Sequence, residues 1–417
     1  MIKRFLIYIA ILISIMSIKA FSQGGSNYSV YGIGDIFTTS SAFYEGLAGT
    51  SIAFPAANTV NVTNPALWSY VTKTRLVAGY RFHQNYIKNE KNDLFQNNGQ
   101  LDGVHMLFSV DTSMGLSFGI GILPYTSVNY LIRNIQEFKV EDQELEAIIQ
   151  YQGSGGLTKG FIGGSIEPFD GFSLGILAFA TFGNIQSNTY ITAFGLQSYP
   201  ASSEGFNYYS GGGFNIGAIA TPVKGLKIGA FYENYSELES ECEITYFNYS
   251  DPLYGNIIPD TTLSGSIKQV SMPGKFGIGG SYETGKFIIG ADATFQDFSS
   301  FDYNGGPETD FANSSRFSIG LSRIGNDAYY APYLDKITYN FGLGYKKLYY
   351  EVNGQSIGEM YLSAGFEFPI VGNAVLDAAL TFGSRGTTNA GLVQEYFGRL
   401  MIDISLGETW FVPFRRE

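Results

Sequence analysis

The 417-residue chain carries 37 acidic against 25 basic residues, a formal net charge of −12, and one cysteine, Cys242. That balance excludes a nucleic-acid partner, which needs a basic footprint, and the lone cysteine excludes an intrachain disulfide framework or a cysteine-based zinc site. Glycine (52), phenylalanine (34) and tyrosine (30) are abundant instead, which suits many strands joined by tight turns and is too aromatic for disorder.

At the N-terminus, Lys3 and Arg4 precede the apolar run Phe5–Met16, and Ala20-Phe21-Ser22 stands before Gln23. This order predicts a secretory signal peptide over residues 1–22, and hence export. After it no apolar run approaches the length of a spanning helix, which excludes a helical membrane protein. Residues 48–69 read AGTSIAFPAANTVNVTNPALWS. They are small and uncharged and keep neither a period of two nor one of 3.6, and Pro55 and Pro65 argue against a single long helix.

From residue 72 the dominant pattern is alternation. Met114, Leu116, Phe118, Ile120 and Ile122 alternate with Gly115, Ser117, Gly119 and Gly121. Phe287, Ile289, Ala291, Ala293 and Phe295 alternate with Ile288, Gly290, Asp292, Thr294 and Gln296, and Leu400, Ile402, Ile404 and Leu406 with Met401, Asp403, Ser405 and Gly407. Such strands fit a soluble sandwich with its apolar face inward, or a membrane barrel with its apolar face outward. Connection length separates the two. Short links such as 168–171, 283–285 and 371–373 alternate with long ones near 126–156, 186–210 and 238–272, the asymmetry of an outer-membrane barrel.

Strands are predicted near 72–85, 101–111, 114–125, 157–167, 172–185, 211–221, 226–237, 273–283, 286–297, 314–323, 336–348, 359–370, 374–384 and 395–407, about fourteen and so an even number. Trp68 and Tyr70 before the first strand, and Trp410 and Phe411 after the last, fit interfacial aromatics. The fold class is all-β: a transmembrane antiparallel barrel. No water in the hydrocarbon layer can satisfy an open sheet edge, so the sheet must close.

With the strands placed, the chain resembles the FadL family of outer-membrane transporters for hydrophobic compounds. The resemblance rests on Gly46-Leu47-Ala48-Gly49-Thr50 followed by Asn64-Pro65-Ala66, on Met272–Gly279, on Asp297–Phe301 and on Gly407-Glu408-Thr409-Trp410-Phe411, in that order. It implies a fourteen-stranded barrel whose N-terminal segment, residues 23–70, forms a hatch in the lumen of a barrel over residues 71–417. Gly49, Asn64, Pro65 and Ala66 then belong to the hatch and its hinge. It also implies lateral exit of ligand at a kinked third strand, where Gly121, Pro124 and Tyr125 fall. The departure is Arg415-Arg416-Glu417 after Phe414, where many barrels end on an aromatic residue.

Other candidates are weighed beside these. Pro124, which lacks a ladder donor, either breaks the wall or simply ends its strand. Glycines 115, 119, 121, 277, 279, 342 and 344 either leave room for an apolar ligand or allow close packing against a hatch. His83 and His105 share inward parity near Arg81, with no hydrolase spacing around them. Glu237, Glu239, Glu241 and Glu243 lie on one strand face, and Glu141–Glu146 forms a second acidic patch; both read as solvated faces more readily than as cation sites.

The expectation is an outer-membrane protein of a Gram-negative-type bacterium. It would be a non-enzyme without cofactor or metal that passively admits long-chain fatty acids or similar apolar molecules past the lipopolysaccharide layer. The alternative is a PorV-type barrel serving as partner or cargo binder of a secretion system.

Overall fold

The computed structural model describes residues 24–89, 92–140, 143–194, 201–249, 257–265, 268–303, 307 and 309–411. The signal-peptide residues 1–22, the residues Glu141 and Asp142 of the second acidic patch, and Arg415-Arg416-Glu417 lie outside the described residues.

Period-two alternation folds here as antiparallel strand throughout. In chain order the strands are β1 (Asp35–Ile36), β2 (Thr74–Lys88), β3 (Asp93–Asp111), β4 (Leu116–Pro124), β5 (Thr126–Val140), β6 (Gln143–Phe169), β7 (Phe172–Phe194), β8 (Ala201–Val223), β9 (Leu226–Tyr235) and β10 (Leu238–Tyr249). They continue as β11 (Ile257–Ser264), β12 (Lys268–Val270), β13 (Lys275–Thr284), β14 (Phe287–Asp297), β15 (Asp310–Phe311), β16 (Asn313–Arg323), β17 (Thr338–Val352), β18 (Gln355–Pro369), β19 (Val375–Gly386) and β20 (Gln394–Glu408). The helical pieces among the described residues are single turns: α1 (Ala42–Glu45), α2 (Tyr333–Lys336) and 3-10 turns at Asn27–Val30, Pro65–Tyr70 and Asn389–Gly391.

Pairing closes the sheet into a barrel of 14 strands. β4 and β5 both pair with β6 and so share the third position in the ring. β9 and β10 both pair with β8 and share the seventh. β2 meets β20 in unbroken register from Thr74↔Glu408 to Lys88↔Gln394, which joins the first wall strand to the last.

The two faces sort as the alternation requires. On β14, Phe287 and Ile289 face outward, about half exposed, whereas Ile288, Asp292 and Thr294 are buried inside. Phe317, Ile319 and Leu321 of β16 and Ile402, Ile404 and Leu406 of β20 continue the outward apolar band, which is the surface a bilayer covers. The inward set is polar and charged, including Arg81, Asp102, Glu359, Arg385, Glu395 and Arg399.

One end of the barrel is built from tight turns. Three consecutive hairpins there close with two residues, Asp170-Gly171, Lys224-Gly225 and Gly285-Lys286, and the glycine takes a positive φ in each (77°, 87° and 61°), a conformation that penalises any other residue.

Two expectations need correction. The stretches predicted as long loops at 126–156, 186–210 and 238–272 are largely strand: β5 with the first half of β6, β7 running into β8, and β10 with β11 and β12. Beyond the bilayer both faces of these hairpins meet polar surroundings, so the ladder continues while the hydrophobic alternation that marks a strand disappears. Trp68 is not an interfacial aromatic either. It is fully buried, and its indole N–H donates to the Asn61 carbonyl at 2.6 Å. Trp410, half exposed and 5.6 Å from the Phe108 ring, does fit that role.

Candidate functional site

The described residues between Gly24 and Val71 are mostly buried, and their partners are the inward side chains and glycines of the wall. The bonds run around the ring. The Ser51 and Ile52 amides donate to Asp292 of β14 (2.6 and 2.9 Å), and the Ala53 carbonyl accepts from Ser281 of β13 (2.6 Å). The Gly49 carbonyl accepts from Arg316 of β16 (2.8 Å), and the Ala42 amide donates to Asp403 of β20 (2.5 Å). The Thr39 carbonyl accepts from Arg81 of β2 at 2.7 Å.

Missing side chains on the wall make this fit possible. A Cβ on Gly365 of β18 would stand 2.8 Å from the Gly46 Cα, and one on Gly217 of β8 would collide with the Asn64 amide. Of the predicted inward glycines, Gly119 meets Trp68, Gly277 and Gly279 meet Ile52, and Gly342 meets Leu47. Close packing is therefore what these positions serve.

Local sequence fixes the segment's shape. Ser41 caps α1, its hydroxyl accepting from the Phe43 amide. Asn64 caps the turn Pro65–Tyr70, with Pro65 at the first position, where its missing N–H costs nothing. The Asn64 side chain accepts from the Ala66 amide (3.1 Å) and donates to the Ile52 carbonyl (2.7 Å), and its own amide donates to Asn61 (2.9 Å). Asn64, Pro65 and Ala66 are thus a buried knot wedged against Gly175 and Gly217. Gly49, at φ 80°, turns the chain beside Arg316.

The third strand breaks where the proline falls. β3 pairs with β4 from Val104↔Ile122 to Asp111↔Leu116, and β4 ends at Pro124. Beyond it β5 keeps β6 on one side (Val128↔Gly155 to Val140↔Gln143), but among the described residues no ladder joins β5 to β3. The N-terminal segment occupies that seam instead. Phe37 donates to the Tyr125 carbonyl (3.0 Å), β1 pairs Ile36↔Thr126 and Asp35↔Ser127, and Gly25 donates to the Asn129 carbonyl (2.8 Å). The Asn129 amide donates to Ser29 Oγ (3.0 Å), and Gln96 of β3 reaches across to the Leu131 carbonyl (3.0 Å).

Tyr125 is buried beneath the Lys159 ammonium, 3.9 Å from its ring, and accepts from the Tyr235 hydroxyl at 2.9 Å; Lys159 is ion-paired with Glu233. Gly121 packs against His105 and Phe161.

A buried ionic network fastens the same segment. Arg385 of β19 pairs with Asp35 (2.8 Å) and with Glu359 of β18 (2.7 Å). Glu395 accepts from the Ser26 hydroxyl and the Asn27 amide (2.7 and 2.8 Å). Arg399 pairs with Glu45 (2.6 Å), which also accepts from Thr39 and Thr381. Burial works to raise the Glu45 carboxyl, but Arg399 and Arg81, helped by Thr39, outweigh it and hold the group down to about 2, so it stays ionised. Sequence reading did not single out Asp35, Glu45, Glu359, Arg385, Glu395 or Arg399. The available signal was a set of charges at inward parity in otherwise apolar strands.

His83 accepts from Arg399, and His105 is buried beside Gly121. Glu237, just before β10, and Glu239, Glu241 and Glu243 on it are exposed, and among the described residues no cluster of three acidic, histidine or cysteine side chains is placed to hold a metal ion.

Cavities of about 30 and 330 Å³ flank the seam, lined by Asp35, Arg81 and Ser127 in the first, by Gly24, Asn97 and Gln152 in the second, and by Asn129 in both. A larger one, about 700 Å³, opens at the short-turn end. A shallow apolar concavity of about 1100 Å³ lies on the outer face across Ile278, Ile319, Leu343 and Phe382.

A family model described as BamG matches residues 1–416. No curated protein matches the sequence. Solved structures with the same fold include a Pseudomonas aeruginosa FadL homologue (TM-score 0.60, 13% identity, covering 90% of this chain and 98% of that one). A Pseudomonas putida toluene transporter, TodX, matches at TM-score 0.59 with 13% identity over 93% of this chain and all of its own. A Ralstonia pickettii toluene transporter, TbuX, matches at TM-score 0.56 with 16% identity over 91% and 98%. These likenesses establish the FadL-type barrel fold that the motifs implied, and the family model that matches carries a different name, BamG.

Proposed function

The chain belongs to the BamG family, and we propose that it is an outer-membrane channel admitting hydrophobic small molecules by passive diffusion, with residues 23–70 as its hatch. The observation that carries this reading is the seam between β3 and β5, closed by the chain's own residues Gly25 to Phe37 in place of a wall ladder. A wall that needs a detachable piece to be complete has a built-in lateral door, and Gly121, Pro124 and Tyr125 form its fixed edge.

The structural neighbours described as toluene transporters and as a FadL homologue support the apolar ligand class. Long-chain fatty acids are the ligand we assign. The short-turn end is periplasmic in this reading, and the Asn64-Pro65-Ala66 knot is the fixed point from which the hatch hangs.

The test is uptake of labelled oleate and of toluene into proteoliposomes. The reading expects flux that stops when the hatch is cross-linked to the wall and returns on reduction. Flux equal to that of empty liposomes would sink it.

A second reading, a partner barrel of PorV type, is favoured by the outward concavity, because a partner spanning the same bilayer could seat there. It expects a bulky substitution such as Leu343→Trp to release a co-purifying membrane protein and leave flux unchanged.

A further inference from the structure

The cavity at the short-turn end is a built site that the door does not use. It lies below the hatch, with Phe43, Phe54, Ile288 and Ile324 as its apolar side and Lys73 and Arg75 of the β2 end on another side. Its volume, about 700 Å³, is that of a site for a small amphiphilic molecule.

The charges around it do not cancel. Lys73, Arg75, Lys227 and Lys336 face Glu283, Asp327 and Glu367. Lys227 stands 3.8 Å from Glu283, and Glu367 accepts from Asn58 (2.9 Å) and Thr338 (3.5 Å). Lys73 donates to the Asn373 side chain (2.5 Å) and Lys336 to the Tyr329 carbonyl (3.1 Å), both neutral acceptors. Arg75 donates to Asn58 and to the Asn373 carbonyl, again neutral; Glu367 and Asp377 are near enough to act on it but form no ion pair with it among the described residues.

Two lining groups are also buried without a hydrogen-bond partner among the described residues: Arg75 Nε, on a residue 3% exposed, and Ser322 Oγ, on a residue 1% exposed. Both atoms are shut off from solvent, so they mark a poorly satisfied wall and not a contact for a bound molecule.

We propose that this cavity binds a single-chain anionic amphiphile, its anionic head on Lys73 and Arg75 and its chain along Phe43, Phe54, Ile288 and Ile324. The head brings a negative charge to two cations whose hydrogen-bond partners are neutral, and the chain covers the apolar side. The site is separate from the seam at β3 and β5 and stands whether or not the barrel conducts apolar solutes.

The experiment uses the mature chain in a neutral detergent, with cis-parinarate as fluorescent probe. Competitors are oleate, oleoyl lysophosphatidic acid and oleyl alcohol. Oleate or the lysophosphatidic acid should displace the probe at least about tenfold better than the alcohol, the worth of one charge-assisted contact. Whichever anion is tighter tells a free fatty acid from a lysolipid as the source.

Lys73→Gln, at the half-exposed rim, should erase the preference for the anions and spare the alcohol. Ala57→Trp, which fills the cavity from an exposed position, should block all three. Equal displacement by oleate, lysophosphatidic acid and oleyl alcohol overturns the proposal. So does probe binding that neither variant changes. Liposome flux, measured separately, reports on the uptake reading alone.

Discussion

Two seams of the same wall make opposite use of the backbone. Between β2 and β20 every residue from Thr74 to Lys88 has a ladder partner, so the join of the first strand to the last is complete. Between β3 and the third strand the ladder stops at Val104↔Ile122, and the rest of the β5 edge is met by Phe37, β1 and Gly25. An N–H or C=O shut away from water costs free energy unless it is paired, so a seam can do without a wall ladder only if something else satisfies it. The first seam is closed by wall strands alone; the second is met by the N-terminal segment, the piece that moves aside in the proposed uptake reading.

The largest effect should come from removing that piece. Deleting residues 24–37 behind an intact signal should make liposomes leak small polar solutes, read by osmotic swelling, because Asn97, Asn98 and Asn129 then line an open slot. Swelling no faster than that of the intact barrel would show that the seam closes without the segment.

Next is Arg385→Met. It removes the nearest cation from the buried Glu359, which keeps only Arg399 at 4.0 Å, and from the partly buried Asp35, a loss of about 3 kcal/mol for pairs of this kind. A lower temperature for the shift from compact to unfolded mobility on gels should report it. The same change at Arg323, paired with the half-exposed Asp335, should move that temperature little.

A disulfide sharpens the contrast without removing atoms. A Cβ on Gly25 would lie 3.3 Å from the Asn129 Cβ, close to the spacing that a disulfide spans. The pair Gly25→Cys and Asn129→Cys, in a chain with Cys242→Ser, should cross-link and end uptake until reductant is added. Cross-linking with uptake unchanged would place the door elsewhere.

The smallest effect should come from Pro124→Ala. Restoring one N–H at the end of β4 should slow uptake less than twofold and leave stability within about 1 kcal/mol, because the segment and not the proline fills the seam. A larger loss of uptake would make the proline itself the hinge.

Much of this was legible in the sequence, for a physical reason. The bilayer imposes a period of two on every spanning strand, so β14 and β20 declare their faces residue by residue. The hairpins above the membrane have no such constraint, and 126–156, 186–210 and 238–272 therefore read as loops although they are ladder. Asn64-Pro65-Ala66 was picked out by resemblance alone, and its cap and N1 proline are local chemistry that went unused. The Arg385 network was not legible, because Asp35, Glu359 and Arg385 belong to remote parts of the chain and meet only once the barrel has closed. Trp68 misled for a related reason, since an aromatic beside a strand end looks the same whether it meets headgroups or a lumen.

The ring-wide bonding of the N-terminal segment has a consequence for the order of assembly. Its partners lie on β2, β13, β14, β16, β18, β19 and β20, so its fit depends on the strand synthesised last. Contacts between such distant parts of a chain form late in folding. The segment cannot settle until β20 has met β2, and once that seam shuts it is enclosed by the wall it helped to complete. Protection of residues 24–71 from protease should therefore appear only at the last step of folding, and it gives a direct clock for barrel closure.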